Sequence, residues 1–520
     1  MSSLTVKDDS KLYWRSLSLL ALIKLVLHGL GQRAYGLHRD EYLYLAEGDH
    51  LAWGFLEVPP LTPALGKLAR ILFGDTLFAV RLFPALVGVA SLFIIADIVR
   101  MLGGRKQAQL VAAGAYLFSP AFLGSNNLFQ PVSFNQFAWL LAAFLMVKII
   151  RYQQARHWFA FGIVAGLGFL AKYSIVFFLL SMGVAFLLSV QRKQLRTPYP
   201  YMALGIALTI AGPNLLWQYS YDWPVVRHME ELATTQLANV GSWDFIIPQF
   251  LFHGAGLWIW GAGLWVLLRW PELRPYRLLA WTFLLLLALL YALSGKDYYT
   301  IGAFSMLFAA GGLAWERWLG DRTWWWIPAM FILNAPMIPY GLPVLPPQQM
   351  IAHGQFMKKT FGLEFPLMWE DGQVRDLPQD YADMLGWEEL PDKVAKLYHS
   401  LSPAEQAGCL LYAGNYGQAG VINFYREQYD LPECYSFNSS FTMWLKEDMQ
   451  ITCQIQVDDN WQSSSESFDK VMIIDSIEHP LARDPGYIFL KTQPVTDLRP
   501  VWREIVTEQK RSDGLIPPKK

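Results

Sequence analysis

Residues 38–63 read HRDEYLYLAEGDHLAWGFLEVPPLTP and lie between the first two long apolar runs of the chain. They carry Asp40, Glu41, Glu47, Asp49 and Glu57 among Tyr, Trp, Phe and Leu. Five carboxylates rule out a bilayer span, because ionised side chains are expensive in hydrocarbon. So many aromatics do not suit a freely solvated loop. The mixture predicts a carboxylate-bearing loop with short interfacial helices at one membrane surface, with the arginines at 39, 70 and 81 facing the same water–lipid boundary.

The rest of the chain sets that loop in a membrane protein. Hydrophobic residues make up 53% and charged residues 16%, and the mean hydropathy is +0.23, outside the balance of a soluble enzyme. A net charge of −1 supplies no basic field, which excludes nucleic acid as a partner. Apolar runs fill the chain to about residue 344, and a polar stretch follows the Pro-rich PYGLPVLPPQQ. The expected organisation is a transmembrane domain over 1–344 with an outer loop at 32–77, then a soluble α/β domain over 345–520.

A bilayer span takes about 20 mostly apolar residues. Runs near 13–31, 78–100, 108–125, 132–150, 157–171, 173–191, 200–219, 245–268, 277–294, 299–316 and 324–341 predict about eleven transmembrane helices. Cations cluster in alternate short loops: Lys7, Lys11 and Arg15; Arg100, Arg105 and Lys106; Lys148, Arg151 and Arg156; Arg192, Lys193 and Arg196; Arg269, Arg274 and Arg277; Arg317 and Arg322. By the positive-inside rule these loops and the N-terminus are cytoplasmic. The 38–63 loop and the C-terminal domain are then extracytoplasmic. The first apolar run has no small-residue cleavage site, so no cleavable signal peptide is expected.

In the tail, periodicity predicts helices at 385–401 and 420–429, and strands at 408–414, 441–445, 449–457, 470–475 and 486–492. NYGQAG at 415–420 joins a strand to a helix, where backbone N–H groups can hold an anion. It lacks the spacing of a dinucleotide fingerprint, so a tight turn is the simpler reading. Cys409, Cys434 and Cys453 all lie in the tail. In an oxidising compartment two of them pair, and Cys434 with Cys453 is expected because Cys409 falls in an apolar strand. No Cys/His spacing matches a structural zinc site.

Polar groups at the span ends are weighed one by one. Lys172 closes the fifth run on a side otherwise poor in cations; it either snorkels or binds an anion. Lys296, Asp297, Tyr298 and Tyr299 fill a very short loop on the same side, either as an interfacial belt or as a phosphate and sugar site. Asn126, Asn127, Gln130, Asn135 and Gln136 suit interhelical hydrogen bonding as well as substrate binding. His228 and His253 are lone histidines. Carboxylates and cations at one membrane face, backed by an apolar body, suit a lipid-phosphate-linked sugar. Its prenyl chain stays in the bilayer, its phosphate needs Lys or Arg, and a loop carboxylate acts as base on the acceptor hydroxyl.

The motifs D-E-Y-x-Y-L-A at 40–46, L-x-W-G-F-L-E-V-P-P-L-T-P at 51–63, L-F-G-D-T-L-F-A-V-R-L-F-P-A-L-V-G at 72–88 and F-Q-P-V-S-F-N-Q at 129–136 extend this reading. They continue in G-L-G-F-L-A-K-Y at 166–173, P-N-L-L-W-Q at 213–218, G-K-D-Y-Y at 295–299, G-W-E-E-L at 386–390 and A-G-N-Y-G-Q-A-G at 413–420. With them the chain resembles the bacterial GT-C membrane glycosyltransferases of the family 39 type, similar to protein O-mannosyltransferases and the lipid A aminoarabinose transferase. The resemblance implies inverting transfer of a sugar from a polyprenyl-phosphate donor to a protein, lipid or glycan acceptor. It also implies Asp40, with Glu41 beside it, as the catalytic carboxylate. Lys172, Lys296, Tyr298 and Tyr299 match its donor side; Arg39 and Arg81, at the same boundary, are counted with them as donor ligands. Glu57 stands where relatives place a carboxylate or His, in some cases near a divalent metal. This chain departs from the pattern at Asn135, where relatives carry Asp, and in lacking a His before Pro59. Two other classes have the same gross pattern: a flippase or transporter of a lipid-linked sugar, which calls for inverted repeats, and an envelope assembly protein whose function lies in the tail.

Overall fold

The computed structural model describes residues 11–235, 241–462 and 466–516; Lys7 falls outside them. The chain forms two compact units. One comprises Met1–Arg33, Val80–Asn214 and Leu232–Val344, the other Ala34–Ala79, Leu215–Glu231 and Leu345–Lys520. The division therefore does not follow a single cut near residue 344, because the 38–63 stretch groups with the tail.

The first unit is helical. Among the described residues three helices, Leu77–Met101, Pro131–Tyr152 and Pro271–Ala292, are long and apolar enough to cross a membrane. The number rises to five if each of two bent pairs is one span: Ile175–Leu188 with Val190–Arg196, at 97°, and Trp243–Leu251 with Gly254–Arg269, at 91°. The helix lengths thus do not carry the expected count of about eleven. The physical reason is that several apolar runs are broken. The run at 108–125 splits into Lys106–Leu117 and Pro120–Ser125, because Ser119 caps the second helix and Pro120 occupies its first turn. The run at 324–341 splits likewise into Trp326–Asn334 and Ile338–Gly341.

Small residues bring backbones together here. A Cβ on Gly263 would overlap the Leu307 carbonyl, one on Gly311 the Ile259 carbonyl, and one on Gly312 the Ala108 carbonyl. Helices Leu257–Arg269, Ile301–Leu319 and Lys106–Leu117 therefore pack backbone to backbone, the mode available when lipid supplies no hydrophobic drive between helices. Larger side chains fill the remaining space, as where Trp139 stacks on Phe178 with centroids 4.8 Å apart.

The second unit is built on a five-stranded sheet: β1 (Cys409–Ala413), β2 (Cys434–Tyr435), β3 (Cys453–Asp458), β4 (Phe468–Asp475) and β5 (Tyr487–Pro494). Their order is β2-β1-β3-β5-β4, with β1 parallel to both of its neighbours and β5 antiparallel to β3 and β4. Helix Leu498–Ser512, unforeseen in the sequence, buries Leu498, Trp502 and Val506 at four-residue spacing. These three join Leu410, Tyr435 and Phe468 in one core.

Three expectations are corrected. The 441–445 segment is a 3-10 helix, Ser439–Trp444, not a strand. The helix placed at 420–429 is Tyr416–Tyr425; Asn415 starts it earlier by accepting the Gln418 N–H at 3.0 Å, so NYGQAG is a capped helix start. The disulfide joins Cys409 to Cys453, and Cys434 is free and buried. The parallel register sets Cys409 opposite Cys453, with Cα atoms 4.5 Å apart, whereas Cys434 lies in β2 opposite Leu411, on the other side of β1. An apolar strand was no reason to exclude Cys409.

Candidate active site

Asp40 lies in the first turn of helix Arg39–Asp49. His38 caps that helix: its Nδ1 accepts the Asp40 N–H at 3.1 Å, and the Glu41 carboxylate accepts the His38 N–H at 2.7 Å. Capping therefore falls to His38 and Glu41, not to Asp40. Glu41 is 0% exposed, while the Asp40 side chain is 29% exposed and can meet a solvent-borne group. The hydroxyl of Tyr416 donates to Asp40 Oδ1 at 2.7 Å. Burial, followed by the charge of Asp40, pushes the Tyr416 phenol well above its ordinary pKa, which keeps it protonated as a donor. Tyr416 was missed as a site residue; its only sequence signal was its place in NYGQAG.

The helix docks on Tyr416–Tyr425 within the same unit. Tyr42 meets Phe424 edge-on at 5.6 Å, and a Cβ on Gly420 would lie 2.8 Å from Tyr42 Cβ, so only glycine permits this approach. Arg39 lies 3.3 Å from Asp484 and 3.8 Å from Asp383, with its guanidinium 4.8 Å from the Tyr416 ring centroid. Burial alone would lower its pKa, but Tyr416, Asp484, Asp383 and Asp40 together raise it. A donor phosphate would have to compete with these acids for Arg39.

Glu57 accepts a hydrogen bond from Ser440 Oγ at 2.5 Å, and Ser440 Oγ in turn accepts the Leu56 N–H at 3.1 Å. Its neighbour is Glu47, wholly buried and not singled out from the sequence as chemical. Among the described residues no group of three or more His, Cys, Asp or Glu is placed to hold a metal. Glu57, Glu47 and Ser440 supply oxygen atoms only, the donor type of a hard ion such as magnesium and not of a structural zinc site.

Burial, then the charge of Glu57, pushes the Glu47 carboxyl well above its ordinary value of 4.5. Below that value both folded and unfolded chains are protonated and the group is neutral in effect. As pH rises from there toward the raised folded value, the unfolded chain releases its proton first and the folded state loses stability. Glu47→Gln is expected to remove this component. The stability gained over wild type should grow with pH in thermal unfolding of the full chain, and a gain independent of pH would refute the assignment.

In the first unit, chain segments far apart in sequence bring four predicted residues together. Lys172 ends helix Ala155–Ala171, and its Nζ lies 5.2 Å from the Tyr299 ring centroid and 6.0 Å from that of Tyr298. Lys296 Nζ lies 5.9 Å from the Tyr298 ring, and the two tyrosines pack edge to face at 4.8 Å. Arg81 is 0% exposed near the start of Leu77–Met101. Asn135 donates to Ser174 at 3.1 Å, and Asn214 to Tyr173 at 3.1 Å, so these amides join helices as membrane polar groups do. His253 bonds Ser119 at 2.7 Å.

Residues 57–217 match the family described as dolichyl-phosphate-mannose-protein mannosyltransferase. Lipid A galacturonosyltransferase RgtD of Rhizobium johnstonii is 23% identical over 195 residues, which cover 37% of this chain and 41% of RgtD. The chain thus spans about two fifths of that relative's length. The crystal structure of ArnT from Cupriavidus metallidurans bound to undecaprenyl phosphate superposes with a TM-score of 0.60 at 15% identity, covering 91% of this chain and 97% of ArnT. Apo ArnT gives 0.57 at 14% identity, with the same coverage. The likeness to ArnT shows a shared fold, and the family match is confined to residues 57–217.

Proposed function

We propose that this protein moves a sugar, with inversion, from a polyprenyl-phosphate donor to an acceptor outside the cytoplasm, Asp40 serving as general base. The observation that carries the reading is the convergence of Lys172 and Lys296 on one tyrosine pair. Two ammonium groups over aromatic rings suit a phosphate that gains charge as its bond to the sugar breaks, while the rings offer faces to the sugar. ArnT, of the same fold, was crystallised with undecaprenyl phosphate. Polyprenyl phosphate is a competent leaving group, so the acceptor hydroxyl needs a base more than the donor needs an acid. The alternating loop cations and the cross-strand Cys409–Cys453 bond support an extracytoplasmic tail, since such bonds persist in oxidising compartments.

The test is transfer from a radiolabelled polyprenyl-phosphate sugar in membranes. Lys172→Met and Lys296→Met are each expected to remove about 2–4 kcal/mol of transition-state stabilisation, roughly a 30- to 900-fold loss in kcat/KM. Full activity and unchanged donor affinity in both variants would leave these lysines as interfacial side chains only.

A further inference from the structure

The second unit contains a cavity of about 220 Å³ lined by Trp369, Glu370, Arg375, Gln379, Arg483 and Asp484, with Asp371 beside Arg375. We infer that it binds one neutral, hydroxyl-rich pyranose ring of the acceptor glycan. This rests on the glycosyltransferase reading and extends it to the class of acceptor.

Chemistry and size agree on this ligand. Drug-sized ligands occupy roughly 300–1,000 Å³ behind mostly apolar walls; this cavity is smaller, and Trp369 is its one large apolar side chain. The remaining walls alternate guanidinium donors, carboxylate acceptors and an amide, the groups that pair with vicinal hydroxyls, while an aromatic ring suits the C–H face of a sugar. An anion fits poorly. The two arginines face three carboxylates, and both are already paired, Arg375 with Asp371 at 2.7 Å and Arg483 with Asp383 at 2.9 Å.

The walls are held in place before any ligand arrives. Trp369 lies in a hairpin closed by the Met368–Val374 bridge, and its indole N–H donates to the Leu377 carbonyl at 2.9 Å. The Gln379 side chain accepts the Glu370 N–H at 2.8 Å, and the Arg375 guanidinium lies 4.0 Å from the Trp369 ring centroid. Such preorganisation lowers the entropy lost on binding. Asp484 Oδ2 is held by Arg39 at 3.3 Å, which fixes this carboxylate in the wall.

The cavity also adjoins the base. Asp484, in its wall, lies 3.3 Å from Arg39, the residue preceding Asp40. Asp383, which holds Arg483, lies 3.7 Å from His38 Nε2 and 3.8 Å from Arg39. Arg39 thus links the cavity wall to the helix that carries Asp40.

The experiment is saturation-transfer NMR on the full chain in nanodiscs, with neutral methyl pyranosides, methyl galacturonide and inorganic phosphate as separate probes. At least one neutral pyranoside is expected to receive saturation from wild type and from Asp40→Asn, and to lose at least three quarters of it in Trp369→Ala and in the milder Arg375→Ala. Absence of a signal from every neutral pyranoside, signals from the anionic probes alone, or a signal that survives both cavity variants would overturn the assignment. Pyranoside binding without any sugar transfer would keep this site and sink the glycosyltransferase reading; transfer without pyranoside binding would do the reverse.

Discussion

Asp40→Asn is expected to lower sugar transfer by roughly 10²–10⁴-fold, the usual contribution of a general base, while leaving folding and donor binding intact. Asparagine keeps an oxygen to accept the Tyr416 hydroxyl and removes only the basicity. The competing assignment, that Asp40 is there to cap its helix, is met by the His38 and Glu41 contacts. Glu41→Gln gives the opposite pattern: transfer within a few fold of wild type and a stability loss of about 0.5–2 kcal/mol, as for a weakened cap. Measuring initial rates and thermal unfolding on both variants separates the two roles. If Asp40→Asn transfers normally and Glu41→Gln does not, the base is Glu41.

Cys453→Ala is expected to destabilise the sheet-bearing unit by about 4 kcal/mol. The chain-entropy treatment gives that figure for the loop closed across a sequence separation of 44. Cys409→Ala should match it, because each variant breaks the same bond. Cys434→Ala should leave the bond intact and lose only the packing of one small buried side chain, about 1 kcal/mol. Non-reducing mass mapping with thermal unfolding reads both effects. A large loss in Cys434→Ala alone, with Cys409→Ala unaffected, would restore the pairing expected from the sequence.

The apolar runs made the helical first unit legible in the sequence, and the span-end residues at 172 and 296–299, picked out one by one, do lie together. What stayed hidden depends on register and partner choice. Cys409 and Cys453 become neighbours only through the parallel pairing of β1 with β3, and a parallel partner leaves no local mark. Tyr416 and Glu47 gain chemical meaning from Asp40 and Glu57, which lie far off in the chain or on another turn of it. Breaks inside the runs were hidden because composition sees an apolar run as continuous, whereas Pro120 and Ser119 divide the one at 108–125. The same limit applied to 441–445, whose aromatic and β-branched residues favour a strand locally while the tertiary setting makes a 3-10 helix.

The docking of Arg39–Asp49 on Tyr416–Tyr425 also bears on how the protein is made. The first helix leaves the ribosome several hundred residues ahead of its partner, and at about 5–20 residues per second that is a delay of roughly 20–70 s. Throughout it Tyr42, Leu43, Leu45 and Ala46, all buried in the finished unit, have no tail to cover them, so the bilayer surface or a chaperone must shelter them. A nascent chain released after residue 344 would contain every apolar run and still leave the base-bearing helix without the partner it folds against.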